Sequence, residues 1–449
     1  MAVPPVQTAV PVSKRSYGLY GLRPGRKGRS NPLEGWRRIL ALLALVALVG
    51  YCVWSYAGWT DPSVVLILGL FVLFALLIVG YLGAGIFWRS FTHLPPARGR
   101  VLAIVPVYNE EEHLVRATVA ALLRQTILPD QVVVVDDGSK VPVVGFDDPL
   151  VRWERTPNGG KREAQAHALR LYEPDEFDFI LTVDSDSVLD DDALERMLES
   201  MSDERVQAAT GTIIMRNWDE NLLTRLTDIN VVTSCLLFRM LRSWLGIVSP
   251  TSGCLALYRS AILYDNLPDY LTSGTAGDDR RLSFYALLRG QVVGVSEALV
   301  STQLPSTVRG VFRQRTRWSK SAWLGIPFVL TNLRLSVVVF YMFPLVFAAL
   351  WPLVIAVLVT LSVRFESPVL LYGVAFWLVC SVTQTAVYAL YRPGFSAAQR
   401  WSQFALSLVY PLLGYLLLRP AAYWALTKLR DNSWITRDVA PVAVEPGVS

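Results

Sequence analysis

Hydrophobic positions along this chain fall into two regimes. Toward the ends they form long uncharged runs: Ile39–Tyr56 and Val64–Trp88 on one side, Leu335–Val363 and Pro368–Tyr391 on the other. A weaker run covers Gln403–Leu418 and reaches through Arg419 and Pro420 to Ala425. A bilayer core takes about 20 apolar residues as helix, so the pattern predicts two membrane helices within residues 36–90 and three or four within 335–426. In between, over residues 97–320, charges return and short apolar runs alternate with helical patterns. Val101–Val105, Val132–Val135 and Phe179–Val183 read as buried strands, and Glu111–Arg124 and Asp191–Met201 as helices. That alternation predicts an α/β domain with a mostly parallel sheet and helices on both faces. Residues 321–334 are mixed and Trp-bearing, which suits a helix lying at the membrane interface. Residues 1–35 and 427–449 read as tails.

Composition sharpens this picture. Apolar residues make up 53% of the chain and charged residues 18%, against about 25% charged in ordinary soluble domains. A disordered or nucleic-acid-coating protein is excluded, and a lipid bilayer is the expected partner. The first 38 residues carry Lys14, Arg15, Arg23, Arg26, Lys27, Arg29, Arg37 and Arg38 against Glu34 alone. This basic run stops where the first apolar run begins, as a cytoplasmic flank does. Two helices then return the chain to the same side, so residues 97–320 are expected in the cytoplasm, in a multi-pass protein of the plasma membrane. The four cysteines have no CxxC spacing and there are three histidines, which speaks against a disulfide framework or a zinc site.

Candidate chemistry lies at the predicted strand ends. Val-Pro-Val-Tyr-Asn-Glu (105–110, with Tyr108) and Val-Asp-Asp-Gly-Ser (135–139) each follow a buried strand, where open α/β sheets bind ligands. Asp136 and Asp137 can accept hydrogen bonds from a base or ribose, although Asp-Asp-Gly-Ser is also a plain turn. Asp184-Ser185-Asp186 puts two carboxylates at one strand end, a hard-oxygen pair suited to Mg²⁺ or Mn²⁺ on a diphosphate. Gly159-Gly160-Lys161-Arg162 is too short for a Walker A loop, but two glycines and two cations before a helix can hold phosphate, or form a basic surface turn. Gly277-Asp278-Asp279-Arg280 taken singly is a solvated turn. Gln314-Arg315-Thr316-Arg317-Trp318 taken singly suits a membrane-surface helix with a snorkelling Arg and an anchoring Trp.

Taken together, in this order and between membrane helices, these elements resemble a processive family 2 glycosyltransferase. Gly160-Lys161-Arg162, Gly277-Asp278-Asp279-Arg280-Arg281-Leu282 and Arg317-Trp318-Ser319-Lys320-Ser321 most resemble the hyaluronan synthases. Ser252-Gly253-Cys254-Leu255-Ala256-Leu257-Tyr258-Arg259 resembles a family segment near the acceptor, with Cys254 in place of a common Pro. Chitin-oligosaccharide synthases share much of the pattern but usually have Glu where Asp278 stands.

The resemblance implies a cytoplasmic GT-A (Rossmann-like) domain that binds a UDP-sugar and extends a growing polysaccharide. Asp137, with Asp136, would hold uridine, and Tyr108 and Lys161 would lie near the nucleotide. Asp186 with Asp184 would hold Mg²⁺ or Mn²⁺, and Asp279 would be the general base. Asp278, Gln314 and Trp318 would lie on the acceptor side, and Arg317 at the pyrophosphate. The implied product is hyaluronan, made from UDP-GlcNAc and UDP-GlcA and exported between the helices. A chitin-like synthase with one donor is the alternative. A transporter with a cytoplasmic regulatory domain is the reading from another class, and the scarcity of ionisable residues in the apolar runs argues against it.

Overall fold

The computed structural model describes residues 94–273, 277–364, 366 and 369–430, with four isolated positions nearer the N-terminus. The basic tail, the runs Ile39–Tyr56 and Val64–Trp88 apart from those four positions, and the chain beyond residue 430 lie outside the described residues.

The centre is an eight-stranded sheet in the order β3-β2-β1-β4-β7-β6-β8-β5. Its first half consists of β1 (Val101–Val107), β2 (Gln131–Asp137), β3 (Val151–Thr156) and β4 (Phe179–Thr182), all parallel. β1 is buried along its whole length and alternates between faces, as a strand covered on both sides must. Val101, Ala103 and Val105 pack with Val115, Val119 and Leu122 of α1 (Glu112–Leu122) and with Leu194 and Met197 of α3 (Ala193–Met201). Leu102 and Ile104 face the other way, toward Ala164 and Ala168 of α2 (Lys161–Arg170) and Leu282 of α5 (Asp278–Arg289).

The second half is mixed, so that four of the seven strand pairings in the sheet are parallel, in line with the expectation, and three are antiparallel. β5 (Val188–Leu189) is antiparallel to β8 (Gln291–Thr302), and β7 (Ala256–Arg259) is antiparallel to both β4 and β6 (Val206–Met215). β6 and β8 are parallel. The connection into β7 passes through α4 (Leu222–Thr233) and its continuation to Trp244, then a loop. A strand reached that way enters from either end, whereas a compact βαβ crossover enforces parallel entry.

After the sheet, α6 (Val308–Leu324) begins well before the expected boundary at residue 320, which runs through it. Thr307 starts the helix by accepting the Gly310 N–H at 3.1 Å, a side-chain cap that stops the strand's extension. α7 (Ile326–Asn332) and α8 (Leu335–Arg364) follow. Val329, Val337 and Tyr341 from these helices join the same apolar cluster as Leu282 and Phe284, so the domain and the first described membrane helix share one core. α8 and the Gly373–Tyr391 part of α9 (Val369–Tyr391) are long and apolar enough to span a bilayer. The third run is broken: Ala397–Leu408 and Tyr410–Thr427 meet at 62°. It contains a 3₁₀ turn (Ala405–Leu408) and a π turn (Gly414–Leu418). Pro411 and Pro420 lack the N–H that a continuous ladder needs.

A second seam ties α4 to the membrane helices. Ile229, Val232 and Leu236 pack with Phe376, Val387, Tyr388 and Leu417. Inside it lies an ion pair with no access to water: Arg392 Nε donates to Asp228 Oδ2 at 3.0 Å, with side chains 4% and 0% exposed. The Tyr388 hydroxyl donates to the same oxygen, and the Met215 N–H donates to Asp228 Oδ1 at 3.4 Å. Arg392 also reaches the Met215 carbonyl at 3.1 Å. Breaking such a pair strands a buried charge, at about 3–5 kcal/mol. Asp228→Ala should therefore lower the thermal midpoint of the detergent-solubilised protein sharply, and Asp228→Leu combined with Arg392→Met should recover part of the loss.

Elsewhere in the domain, Glu199 on α3 is buried, and its Oε1 accepts from Arg196 at 2.8 Å. Its Oε2 has no hydrogen-bond partner among the described residues. Burial pushes this carboxyl up to about 7, Arg196 only partly opposing it. The folded protein then keeps a proton that the unfolded chain releases, so stability falls as pH rises from about 4.5 through about 7. Glu199→Gln should remove that component, seen as a flatter thermal midpoint between pH 5 and 8.

Candidate active site

The carboxyl ends of β1, β2 and β4 open on one crevice. Two turns that read as nucleotide elements first hold each other. Asp137 accepts the Gly159 and Gly160 N–H groups, one on each oxygen and both at 2.8 Å. Asp136 closes its own turn, accepting the Ser139 N–H at 2.9 Å, and pairs with Arg155 at 3.5 Å. Gly138 needs to be glycine, since its φ is +72° and a Cβ there would lie 2.6 Å from the Asn158 nitrogen. Burial outweighs the two amide hydrogen bonds and raises the Asp137 carboxyl above its ordinary value. Asp137 thus serves the fold, setting the glycine turn that starts α2 and so aiming Lys161. Asn109, in the left-handed region at φ 49°, laces the β1 end to the β2 end through Ser139 and Lys140. Tyr108 beside it is exposed at the rim.

Lys161 is the hub. Its Nζ meets Asp184 Oδ1 at 2.5 Å. Burial alone would lower this ammonium, but Asp184, Asp278 and Asp279 outweigh it and hold the group above its ordinary value. For Asp184 burial works upward, and Lys161, with a smaller contribution from Arg317, brings the carboxyl below its ordinary value. The cation from α2, the carboxylate after β4 and the guanidinium from α6 therefore act on one another across the crevice. Asp186, two residues on, is buried, and its carbonyl accepts from Arg216 at 2.7 Å.

The other wall is the start of α5. Asp278 is held by Arg162 Nε at 2.6 Å, and Arg162 also donates to the Tyr270 carbonyl and Ser273 Oγ. Asp279 is half-buried, and Thr251 donates to its carbonyl at 2.9 Å. Burial raises the Asp279 carboxyl, Asp278 adds to the rise, and Arg280 and Lys161 oppose it. A raised carboxylate is a better proton acceptor.

Several residues that carry this geometry had no assigned role in the sequence. A Cβ on Gly253 would stand 3.0 Å from Asp184 Oδ2 and 3.2 Å from Lys161 Nζ, so the 252–255 loop forms the crevice floor. Cys254 Sγ lies 3.6 Å from Asp184 Oδ2. Ser321 of α6 accepts Arg280 Nε at 3.0 Å and sits where a Cβ on Gly277 would be. α5 and α6 are thereby keyed together. Their only sequence signal was the Ser-Gly-Cys and Ser-Lys-Ser segments beside the stronger motifs. On α6, Gln314, Arg317 and Trp318 lie within one helix, and Trp318 is 36% exposed.

A divalent cation fits this crevice only together with a substrate. Among the described residues no cluster of three or more His, Cys, Asp or Glu side chains could hold one alone. Asp184 and Asp186 offer hard oxygens, and Mg²⁺-type sites commonly use one or two carboxylates plus substrate phosphates.

Residues 102–267 match the family model "Glycosyl transferase family 2". That span covers β1 through β7, including Lys161, Asp184 and Asp186. A hyaluronan synthase of Streptococcus pyogenes is 29% identical over 430 residues, covering 90% of this chain and 98% of that protein. An N-acetylglucosaminyltransferase of Azorhizobium caulinodans is 28% identical over 364 residues, covering 76% of this chain and 88% of that one. A mannosyltransferase of Pyrobaculum calidifontis, solved with GDP-Man and Mn²⁺, superposes with a TM-score of 0.49 at 18% identity, covering 88% of this chain and 99% of that chain. With the family match lying over the strands that build the crevice, and the synthase alignment covering 90% of the chain, the protein is a glycosyltransferase whose residues 102–267 form a family 2 domain, similar over most of its length to bacterial hyaluronan synthases.

Proposed function

We propose that the protein is a processive, inverting hyaluronan synthase of the plasma membrane, using UDP-GlcNAc and UDP-GlcA at one cytoplasmic crevice and passing the polymer out between its C-terminal helices. The observation that carries this reading is the convergence of Lys161, Asp184 and Asp279 beside the helix bearing Gln314, Arg317 and Trp318. The synthase relative, matched over 98% of its length, supports the polymer.

In this reading the acceptor sugar rests on α6, with its ring against Trp318 and a hydroxyl near Gln314. That hydroxyl oxygen attacks the anomeric carbon of the donor. The bond to the UDP oxygen breaks on the opposite face, which inverts the configuration, and Asp279 takes the hydroxyl proton. Lys161 and Arg317 stand beside Asp184, where they meet the charge gathering on the departing diphosphate. Asp184 and Asp186 would hold Mg²⁺ or Mn²⁺ there, and such a cation supplies further neutralisation of the leaving group. Asp136, Asp137 and Tyr108 border the uridine position. Asp278, fixed by Arg162, backs the acceptor side. Thr251 and Ser321 hold the ends of the Asp279 turn in place.

Purified protein in detergent should release UDP steadily only when both donors are present, giving a hyaluronidase-sensitive polymer. Sustained release with UDP-GlcNAc alone would favour the single-donor reading that the Azorhizobium relative supports. Asp279→Asn should lower turnover by roughly a hundred- to ten-thousandfold without lowering the thermal midpoint, and a transporter would keep its flux. Asp186→Asn should abolish the stimulation by Mn²⁺ or Mg²⁺. Equal activity in EDTA and in Mn²⁺ would sink the metal assignment.

A further inference from the structure

Arg315 occupies a variable position of Gln-x-x-Arg-Trp and has no part in the chemistry above. Its Nε and Nη2 are buried, with no hydrogen-bond partner among the described residues. The ionisable neighbour that acts on it there is the Tyr410 phenol, and no carboxylate among the described residues does. Burial brings the guanidinium down to about 10, so it remains charged at neutral pH. A buried cation without a counter-charge costs several kcal/mol and survives where a ligand supplies the missing anion. The adjacent Gln314 Oε1 is also buried without a partner. Two neighbouring side chains therefore present one unmet set of donors and one unmet acceptor.

Helix geometry separates Arg315 from the donor side. Residues 315 and 317 lie about 200° apart around a helix, so Arg317, which acts on Asp184, points away from Arg315. Trp318, three residues on, shares the Arg315 face, and the guanidinium lies 4.7 Å from its ring centroid. That face looks toward the broken span, where Trp323 Nε1 donates to the Ala422 carbonyl at 3.2 Å and Tyr410 accepts from Asn230. Irregular backbone at membrane depth is tolerated where it is buried in protein or lines a polar cavity, and this span holds both a 3₁₀ and a π turn.

We propose that Arg315, with Gln314 and Trp318, forms a subsite for an acidic sugar of the nascent chain, its guanidinium binding a uronate carboxylate as the polymer enters the path between α6 and the broken span. This rests on the polymerase reading and adds a position at which charged and neutral chains are told apart. The carboxylate meets Arg315, a hydroxyl of the same or the next sugar meets Gln314 Oε1, and the indole offers a stacking surface.

The test uses the full chain in detergent, with hyaluronan and chitin oligosaccharides of equal length as probes and UDP as the donor-side control. Arg315→Gln should bind the hyaluronan oligosaccharide about tenfold more weakly, the value of one charge-assisted hydrogen bond. Affinities for the chitin oligosaccharide and for UDP should not follow, and Arg315→Lys should fall between. The thermal midpoint of Arg315→Gln should rise, because a stranded buried charge is gone; a merely structural Arg315 would lower it. Equal hyaluronan-oligosaccharide binding by wild type and Arg315→Gln, or an equal loss for both oligosaccharides or for UDP, overturns the proposal. The donor-dependence assay reports on the synthase reading separately, because UDP release from UDP-GlcNAc alone would undo that reading whatever the Arg315 variants bind.

Discussion

One cation holds the crevice together. Three carboxylates, Asp184, Asp278 and Asp279, come from two separated parts of the chain into a half-buried space, and like charges there repel strongly. Lys161 outweighs its own burial through all three. Asp137 aims it by taking both glycine amides of the preceding turn, and Arg162, the next residue, takes up Asp278. The short run Gly160-Lys161-Arg162 thereby supplies two of the cations that balance the site, beside Arg280 and Arg317. In the proposed reaction a substrate diphosphate would add negative charge beside Lys161 and Arg317, which fits a crevice that combines cations with carboxylates.

The second constraint is mechanical. In the proposed synthase the crevice has to stay in register with the path its product takes. Here that register is built from packed contacts rather than linkers. The domain and α8 share a core through Phe284, Tyr341 and Val329. Ser321 keys α6 to the start of α5. The buried pair Asp228–Arg392 fastens α4 to the end of α9. That last joint also reaches the Asp184-Ser185-Asp186 turn, because Asp228 and Arg392 grip Met215, and the following residue, Arg216, donates to the Asp186 carbonyl.

Much of the first half of the domain was legible in the sequence because parallel strands buried on both faces read as continuous apolar runs, as β1 and β2 do. The placement of Asp184 and Asp186 after β4, at the edge of the crevice, was legible for a related reason: acids that follow a buried strand fall at the carboxyl end of the sheet. The mixed second half was not, because the direction of β7 depends on a long connection through α4 rather than on local pattern. Asp228 and Arg392 lie 164 residues apart, and nothing local marks them as partners. Gly253 and Ser321 act through what their neighbours leave no room for, which only packing reveals. Asp-Asp-Gly-Ser shows the limit most clearly: the motif was legible, while the use of both Asp137 oxygens on backbone amides required the fold.

Everything proposed for the reaction depends on the Lys161 crevice being the donor diphosphate site. Anomalous scattering from Mn²⁺ in a structure of the protein with UDP tests this most directly. A manganese peak should lie between Asp184, Asp186 and the diphosphate, with Lys161 and Arg317 beside the phosphates. UDP bound elsewhere, or a manganese peak away from both carboxylates, would contradict it.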